Sequence, residues 1–188
     1  MLVVGVRLRG LGLETVIASA ALSLEAAAAH SLSVGMDAII LSDSIEGEAR
    51  DVGQVHAAIA REIALRDRPF TKPILLLSGG ETTVTFGSAP YGRGGRNSTF
   101  LLSFALGIQG FHSIHALAAD TDGIDGSQAN AGAFADGASV MRMRAAGIDA
   151  KKKLLGHDSW AAFEAIGDLL TTGPTGTNVN DFRAVMLR

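Results

Sequence analysis

The stretch Ile74-Leu75-Leu76-Leu77-Ser78-Gly79-Gly80-Glu81-Thr82-Thr83-Val84-Thr85 passes from an unbroken apolar run into two glycines and an acid, then into β-branched residues. Four consecutive apolar residues between Pro73 and Ser78 predict a buried strand. Pro73 opens it at a position where a missing N–H does little harm. Glycine lets a backbone or a ligand approach closely, and a bare carboxylate beside it points to recognition rather than packing. A second cluster, Gly92-Arg93-Gly94-Gly95-Arg96-Asn97, adds two guanidinium groups and an amide. Together the two clusters read as half of an active site for an anionic ligand.

Outward from that stretch, strands and helices alternate. Thr15–Ala18, Asp37–Ser42, Ile114–Ala119 and Phe182–Leu187 read as strands. Ser23–Leu32 reads as a helix with Ser23 as N-cap and Gly35 as its stop signal. A second helix follows Ile45–Arg50, with Val52, Val55, Ile59 and Ile63 as its apolar stripe. Ser98–Gly107 and the small-residue run Ala129–Ala146 read as further helices, the latter broken near Asp136-Gly137. Asp149–Leu155 and Ser159–Ile166 add two more, with Trp160 and Phe163 assigned to the core. Met1–Gly12 alternates only loosely. This order predicts a layered α/β fold, a mixed and mostly parallel sheet flanked by helices. The strands on either side of Gly79-Gly80 are expected to form its antiparallel pair.

The chain has 188 residues with a mean hydropathy of +0.28, enough for a sizeable core. A net charge of −3 gives no general reason to expect nucleic acid or an acidic membrane surface, so any anion site must be local. There are no cysteines, which excludes thiolate catalysis, disulfides and Cys-ligated zinc. No apolar run approaches the ~18 residues of a spanning helix, and a cytoplasmic location is expected.

Three polar clusters follow apolar strands, as ligand-binding loops do in α/β sheets. The first is Gly79-Gly80-Glu81, equally readable as a tight turn with an exposed acid. The second, Asp120-Thr121-Asp122-Gly123-Ile124-Asp125-Gly126, offers carboxylates to Mg²⁺ or forms an aspartate turn capping the next helix. The third, Thr171–Asp181, presents Thr175, Thr177, Asn178 and Asp181. Arg96, and less strongly Arg93, suits a phosphate or carboxylate, since guanidinium pairs bidentately with such groups. The helix starting after Asn97 would aim its free N–H groups at the same anion. His112 and His115 lie three apart on a strand and so face opposite ways. No dinucleotide or phosphate-loop pattern is present.

Ser78-Gly79-Gly80-Glu81-Thr82-Thr83-Val84, Gly94-Gly95-Arg96-Asn97, Asp120–Gly126 and Thr172–Asp181, in this order and at these intervals, resemble the C-terminal MOFRL domain of class II glycerate kinases. Members of that family also carry the label hydroxypyruvate reductase. The resemblance implies ATP-dependent phosphorylation of D-glycerate with Mg²⁺ in a cleft between two domains. It implies catalytic roles for Arg96, as an anion clamp, and for Glu81, holding Arg96 or a substrate hydroxyl. Asp120 and Asp122 would contact the metal. Gly79, Gly80, Arg93, Asn97, Thr175, Thr177, Asn178 and Asp181 would line the substrate and phosphate site. Residues 73–188 are expected to form the MOFRL-like domain, 13–72 an upstream α/β part, and 1–12 a segment unlike the family. The family's N-terminal kinase domain, its expected partner, has no counterpart in the chain, so the chain is expected to be inactive alone and to self-associate. One departure stands out: where the family has an acid two residues after Gly-Gly-Arg-Asn, this chain has Thr99. The competing readings are a non-catalytic binding or assembly module and a hydroxypyruvate reductase.

Overall fold

The strand begun at Ile74 runs straight through Gly79 and Gly80 to Thr83 in the computed structural model, which describes residues 4–7, 14–88 and 91–188. The expected turn at the glycine pair is therefore absent. Glycine is needed at residue 80 for another reason. Its φ is +121°, and a Cβ there would lie 2.2 Å from the Ile45 carbonyl oxygen of the neighbouring strand.

Two short strands, β1 (Val4–Arg7) and β2 (Glu14–Ala18), pair antiparallel. Much of the loosely alternating segment Met1–Gly12 lies outside the described residues. There follow α1 (Ala20–Ser33), β3 (Ala38–Glu48), α2 (Ala49–Arg66), β4 (Ile74–Thr83), α3 (Arg96–Gly107) and β5 (Ile114–Asp120). The remainder is β6 (Gly132–Asp136), α4 (Ser139–Ala145), α5 (Ala150–Leu155), α6 (Ser159–Glu164), β7 (Leu169–Leu170) and β8 (Asp181–Leu187). Strands β3 to β8 form one sheet in the order β3-β4-β8-β5-β6-β7. It is mixed and flanked by helices, as expected, but its balance is the reverse of the expected one. Only β3 and β4 run parallel; the other neighbours are antiparallel.

Several local expectations are corrected. Helix α1 starts four residues early, capped by Ser19, whose Oγ accepts the Leu22 N–H at 3.2 Å. Within the run expected to be helical from Ala129, residues Gly132–Asp136 are strand β6 instead. Pairing with β5 overrides the helical preference of its alanines, and a Cβ at Gly132 would strike the Ala118 carbonyl. Of the stripe expected on α2, Val52, Ile59 and Ile63 do pack against the core, but it is incomplete. Val55 faces solvent, while Gly53, His56, Ala57, Ala60 and Ile63 are buried. Small side chains let α3 approach so closely that a Cβ on Gly53 would lie 2.4 Å from the Phe100 carbonyl oxygen.

Helix α3 is the central helix: Asn97 through Ala105 are all buried between α2 and the sheet. With Leu76, Ala118, Val185 and Leu187 from the strands, its Phe100, Leu101 and Phe104 make the core. Phe163 joins that core, whereas Trp160 is only half-buried. No helix among the described residues is long and apolar enough to cross a membrane.

Candidate active site at one edge of the sheet

Strand β8 places Asp181 at its first residue, opposite Gly80 of β4 on one side and Asp120 of β5 on the other. Because β8 runs antiparallel to both, the carboxyl ends of β4 and β5 and the start of β8 reach the same sheet edge. Arg96, the first residue of α3, points into this edge. Its Nε donates to Asp181 Oδ1 at 2.7 Å, one Nη to Glu81 Oε1 at 2.7 Å and the other to Asp120 Oδ2 at 2.6 Å. Glu81 thus realises the expected contact with Arg96. The Arg96 side chain is 22 % exposed, and each of its three nitrogens donates to a protein carboxylate. Burial alone would lower its pKa, but Asp181, Asp120 and Glu81 more than offset this and raise it.

Asp181 is buried and accepts from four further donors. Asn97 Nδ2 meets Oδ1 at 2.8 Å, while the Thr82 N–H and Oγ meet Oδ2 at 3.3 and 3.5 Å. The fourth donor is Arg183, two residues along the same strand, at 2.5 Å from Oδ2. Burial pushes the Asp120 carboxyl up to about 6; the Asp122 N–H and Arg96 oppose this, and the Asp122 and Asp181 charges add to it.

The amino end of α3 is not the anion seat that was expected. Asp125 occupies it, taking the Asn97 and Ser98 N–H groups at 2.9 Å each. A Cβ at Gly95 would lie 2.2 Å from the Asp125 carboxylate, so the glycine makes room for the cap. Burial pushes the Asp125 carboxyl up, and the Ser98 and Asn97 hydrogen bonds pull against it.

A cleft of about 560 Å³ opens over this edge, lined by Glu81, Arg96, Asp120, Asp122 and Asn178 among others. Asp122 caps its own turn through the Ile124 N–H at 2.8 Å and holds Asn178 Nδ2 at 3.1 Å. The remaining expected residues lie off the cleft. Thr175 and Thr177 belong to the 171–180 loop, which Thr175 ties to the Thr121 carbonyl. Gly79 packs on Leu24 of α1, and Asn97 lies behind Asp181 with its Oδ1 buried and unpartnered. Arg93 lies 3.7 Å over the Trp160 ring and 3.8 Å from Glu164. Thr99, in place of the family's acid, is buried and meets Ser159 Oγ at 3.3 Å rather than Arg96.

The cleft lining described here carries three carboxylates and one guanidinium. Such a wall suits hydroxyl groups and a hard cation better than an anion. Mg²⁺ takes one or two carboxylates and fills its shell with water and phosphate oxygens, and the all-oxygen donor set of Asp120 and Asp122 fits that. Among the described residues no three His, Cys, Asp or Glu side chains are arranged so that they could hold a metal ion by themselves. Phosphates fit less well, since α3 is already capped and Arg96 already paired.

Residues 74–181 match the model of the MOFRL family. The chain is 51% identical over 91% of its length to a protein of Agrobacterium vitis named "Putative hydroxypyruvate reductase". It is 44% identical over 87% of its length to a glycerate 2-kinase of Pyrococcus horikoshii. Among solved structures, a glycerate kinase of Thermotoga maritima superposes over 93% of the chain with a TM-score of 0.89 and 36% identity. The matched region is 39%, 37% and 42% of those three proteins, so the chain spans about two fifths of their length.

Proposed function

The chain belongs to the MOFRL family, and from that membership we propose that it supplies one wall of a site where D-glycerate is phosphorylated from ATP. The observation that carries this reading is the Arg96 cluster. A guanidinium locked by Glu81, Asp120 and Asp181 lines a cleft whose other charged groups are carboxylates. Carboxylates arranged in this way recognise the hydroxyls of a small polyol acid. Glu81, the most exposed of the three partners, is placed to accept a substrate hydroxyl. Phosphoryl transfer depends mostly on positioning and on neutralising charge. Asp120 and Asp122 would hold Mg²⁺, which when bound supplies that neutralisation. Arg96 fixes the carboxylate array, with its exposed edge toward the carboxylate of glycerate or the transferring phosphate.

The acidity of this wall supports a second element of the proposal: the phosphates of ATP are held by residues beyond it, in a facing domain. The chain alone is then inactive. A reductase reading is favoured by the name of one relative, but β4 continues through its glycines as a strand and α3 is capped by Asp125. Neither β4 nor α3 therefore offers the pyrophosphate seat of a dinucleotide fold, a glycine turn leading into an open helix end.

The test is a coupled assay with ATP, Mg²⁺ and D-glycerate. It is run on the chain alone and on the chain joined to the remaining portion of the Thermotoga maritima enzyme. Turnover only by the joined form is expected. Turnover by the chain alone would overturn the claim of incompleteness. Hydroxypyruvate-dependent NAD(P)H oxidation would replace the kinase reading with the reductase one.

A further inference from the structure

We infer that Arg183 is a positioning residue of this cleft, acting through Asp181 to hold Arg96 and Asn97 in place. The inference rests on the reading of the cleft as the functional site. Arg183 is fully buried, and it lies on the face of β8 that also carries Val185 and Leu187 into the core. Burying a guanidinium among such residues is costly unless its donors are met, and an apolar side chain of similar volume would pack there without that cost.

Its partners show what the charge is for. One Nη donates to Asp181 Oδ2 at 2.5 Å and to Thr82 Oγ1 at 3.2 Å; the other donates to the Gly79 carbonyl at 3.3 Å. Asp181 and Thr82 belong to the sheet edge that builds the cleft, and Gly79 lies on the strand that leads to it. Its strand neighbours are Ser78 on β4 and Ala118 on β5, both small, which leaves room for the head group. Phe100 of α3 covers it, ring centre 5.1 Å from Cζ.

Asp181 then stands between two arginines. Oδ2 faces Arg183, and Oδ1 faces Arg96 Nε and Asn97 Nδ2. With Arg183 removed, Oδ2 keeps only the long Thr82 contacts. The carboxylate is then free to rotate, and Arg96 loses the fixed acceptor that orients its fork.

The experiment follows the Nε–H of Arg96 by ¹⁵N NMR hydrogen exchange in the full chain. Arg183→Met removes the charge and keeps the volume. Arg183→Gln keeps a donor without the charge, and Arg183→Lys restores the charge. Arg142→Met serves as control, since Arg142 pairs with Asp136 and Asp168 away from the cleft. Faster Arg96 Nε–H exchange, by about tenfold or more, is expected in a folded Met or Gln variant, because a hydrogen bond to a charged group is lost. Lys should restore most of the protection, and the control should leave it unchanged. An Arg96 signal unmoved in a folded Met or Gln variant overturns the proposal. So does failure of both uncharged variants to fold, which would make Arg183 a purely structural residue. The exchange readout needs no turnover, so a negative kinase assay leaves this result standing, and the reverse also holds.

Discussion

Arg96 meets three carboxylates with N–H groups on three different nitrogens, and its planar fork fixes the spacing between them. Arg96→Lys keeps the charge but concentrates it at one point, so the array around it loosens while the fold persists. In the joined enzyme we expect kcat/KM for D-glycerate to fall about tenfold or more, and a fall under about threefold would count against the role. A second residue carries a pH signature. His56 is buried behind the site, its Nε2 3.1 Å from Ser78 Oγ and its Nδ1 2.9 Å from the Val52 carbonyl. Burial lowers its pKa from 6.5; the Val52 hydrogen bond opposes this and the Arg183 charge adds to it. Below about pH 6.5 the unfolded chain binds a proton that the folded chain refuses, so stability present above that pH is lost as the pH falls. Thermal midpoints from about pH 7.5 down to about pH 5 should drop more steeply for the wild type than for His56→Gln. Parallel slopes would remove His56 from the account. At this scale Arg96, Glu81 and Asp120 were legible as polar residues flanking glycine or ending apolar runs. Arg183 was missed. Its signal was parity: it shares a strand face with Val185 and Leu187, so if they point inward it does too.

At the scale of elements, the amino end of α3 ties loop to helix. Asp125 reaches it from the loop after β5, and its two hydrogen bonds join segments 27 and 28 residues apart in sequence. Asp125→Ala would uncover both N–H groups and leave a small void. A loss of about 1–2 kcal/mol is expected from the cap alone, read as a lower midpoint in urea. No change in that midpoint would mean that other groups cap α3. The sequence showed an aspartate-rich loop with capping as one reading, but pointed to the next helix rather than to α3 before it, because the contact is long-range. The same limit explains the misread run around Gly132–Asp136. Alanine-rich residues carry little periodicity of their own, and what makes them a strand is β5 beside them. Likewise α2 revealed its helical period and, through Val52, Ile59 and Ile63, part of the face it buries, but not Gly53, Ala57 and Ala60, since glycine and alanine score weakly in an apolar stripe yet permit the closest helix contact.

For the whole molecule, the last strand in sequence is a central one in space. Strand β8 pairs along its length with both β4 and β5, and it brings Asp181 and Arg183 to the site. Nothing local in Phe182–Leu187 announces this position; an alternating strand could as well have lain at an edge. The sheet balance was misjudged for the same reason, since β8 entering antiparallel between β4 and β5 converts two expected parallel neighbours into antiparallel ones. Without β8 the sheet is split into a β3-β4 pair and a β5-β6-β7 group whose facing backbone groups have no partners. Each buried, unpaired backbone group costs about 1–3 kcal/mol, and the seven residues of β8 satisfy such groups on both sides. Native stability is of the order of 5–15 kcal/mol, so the loss exceeds what the rest of the chain can absorb. A chain ending at Asn180 should therefore show no cooperative thermal transition and a collapsed amide spectrum, rather than a frayed terminus. A truncated chain that still melts cooperatively would show that the two halves fold independently and that β8 only docks onto them. The fold and the site would then be separable, which the shared dependence on Asp181 and Arg183 argues against.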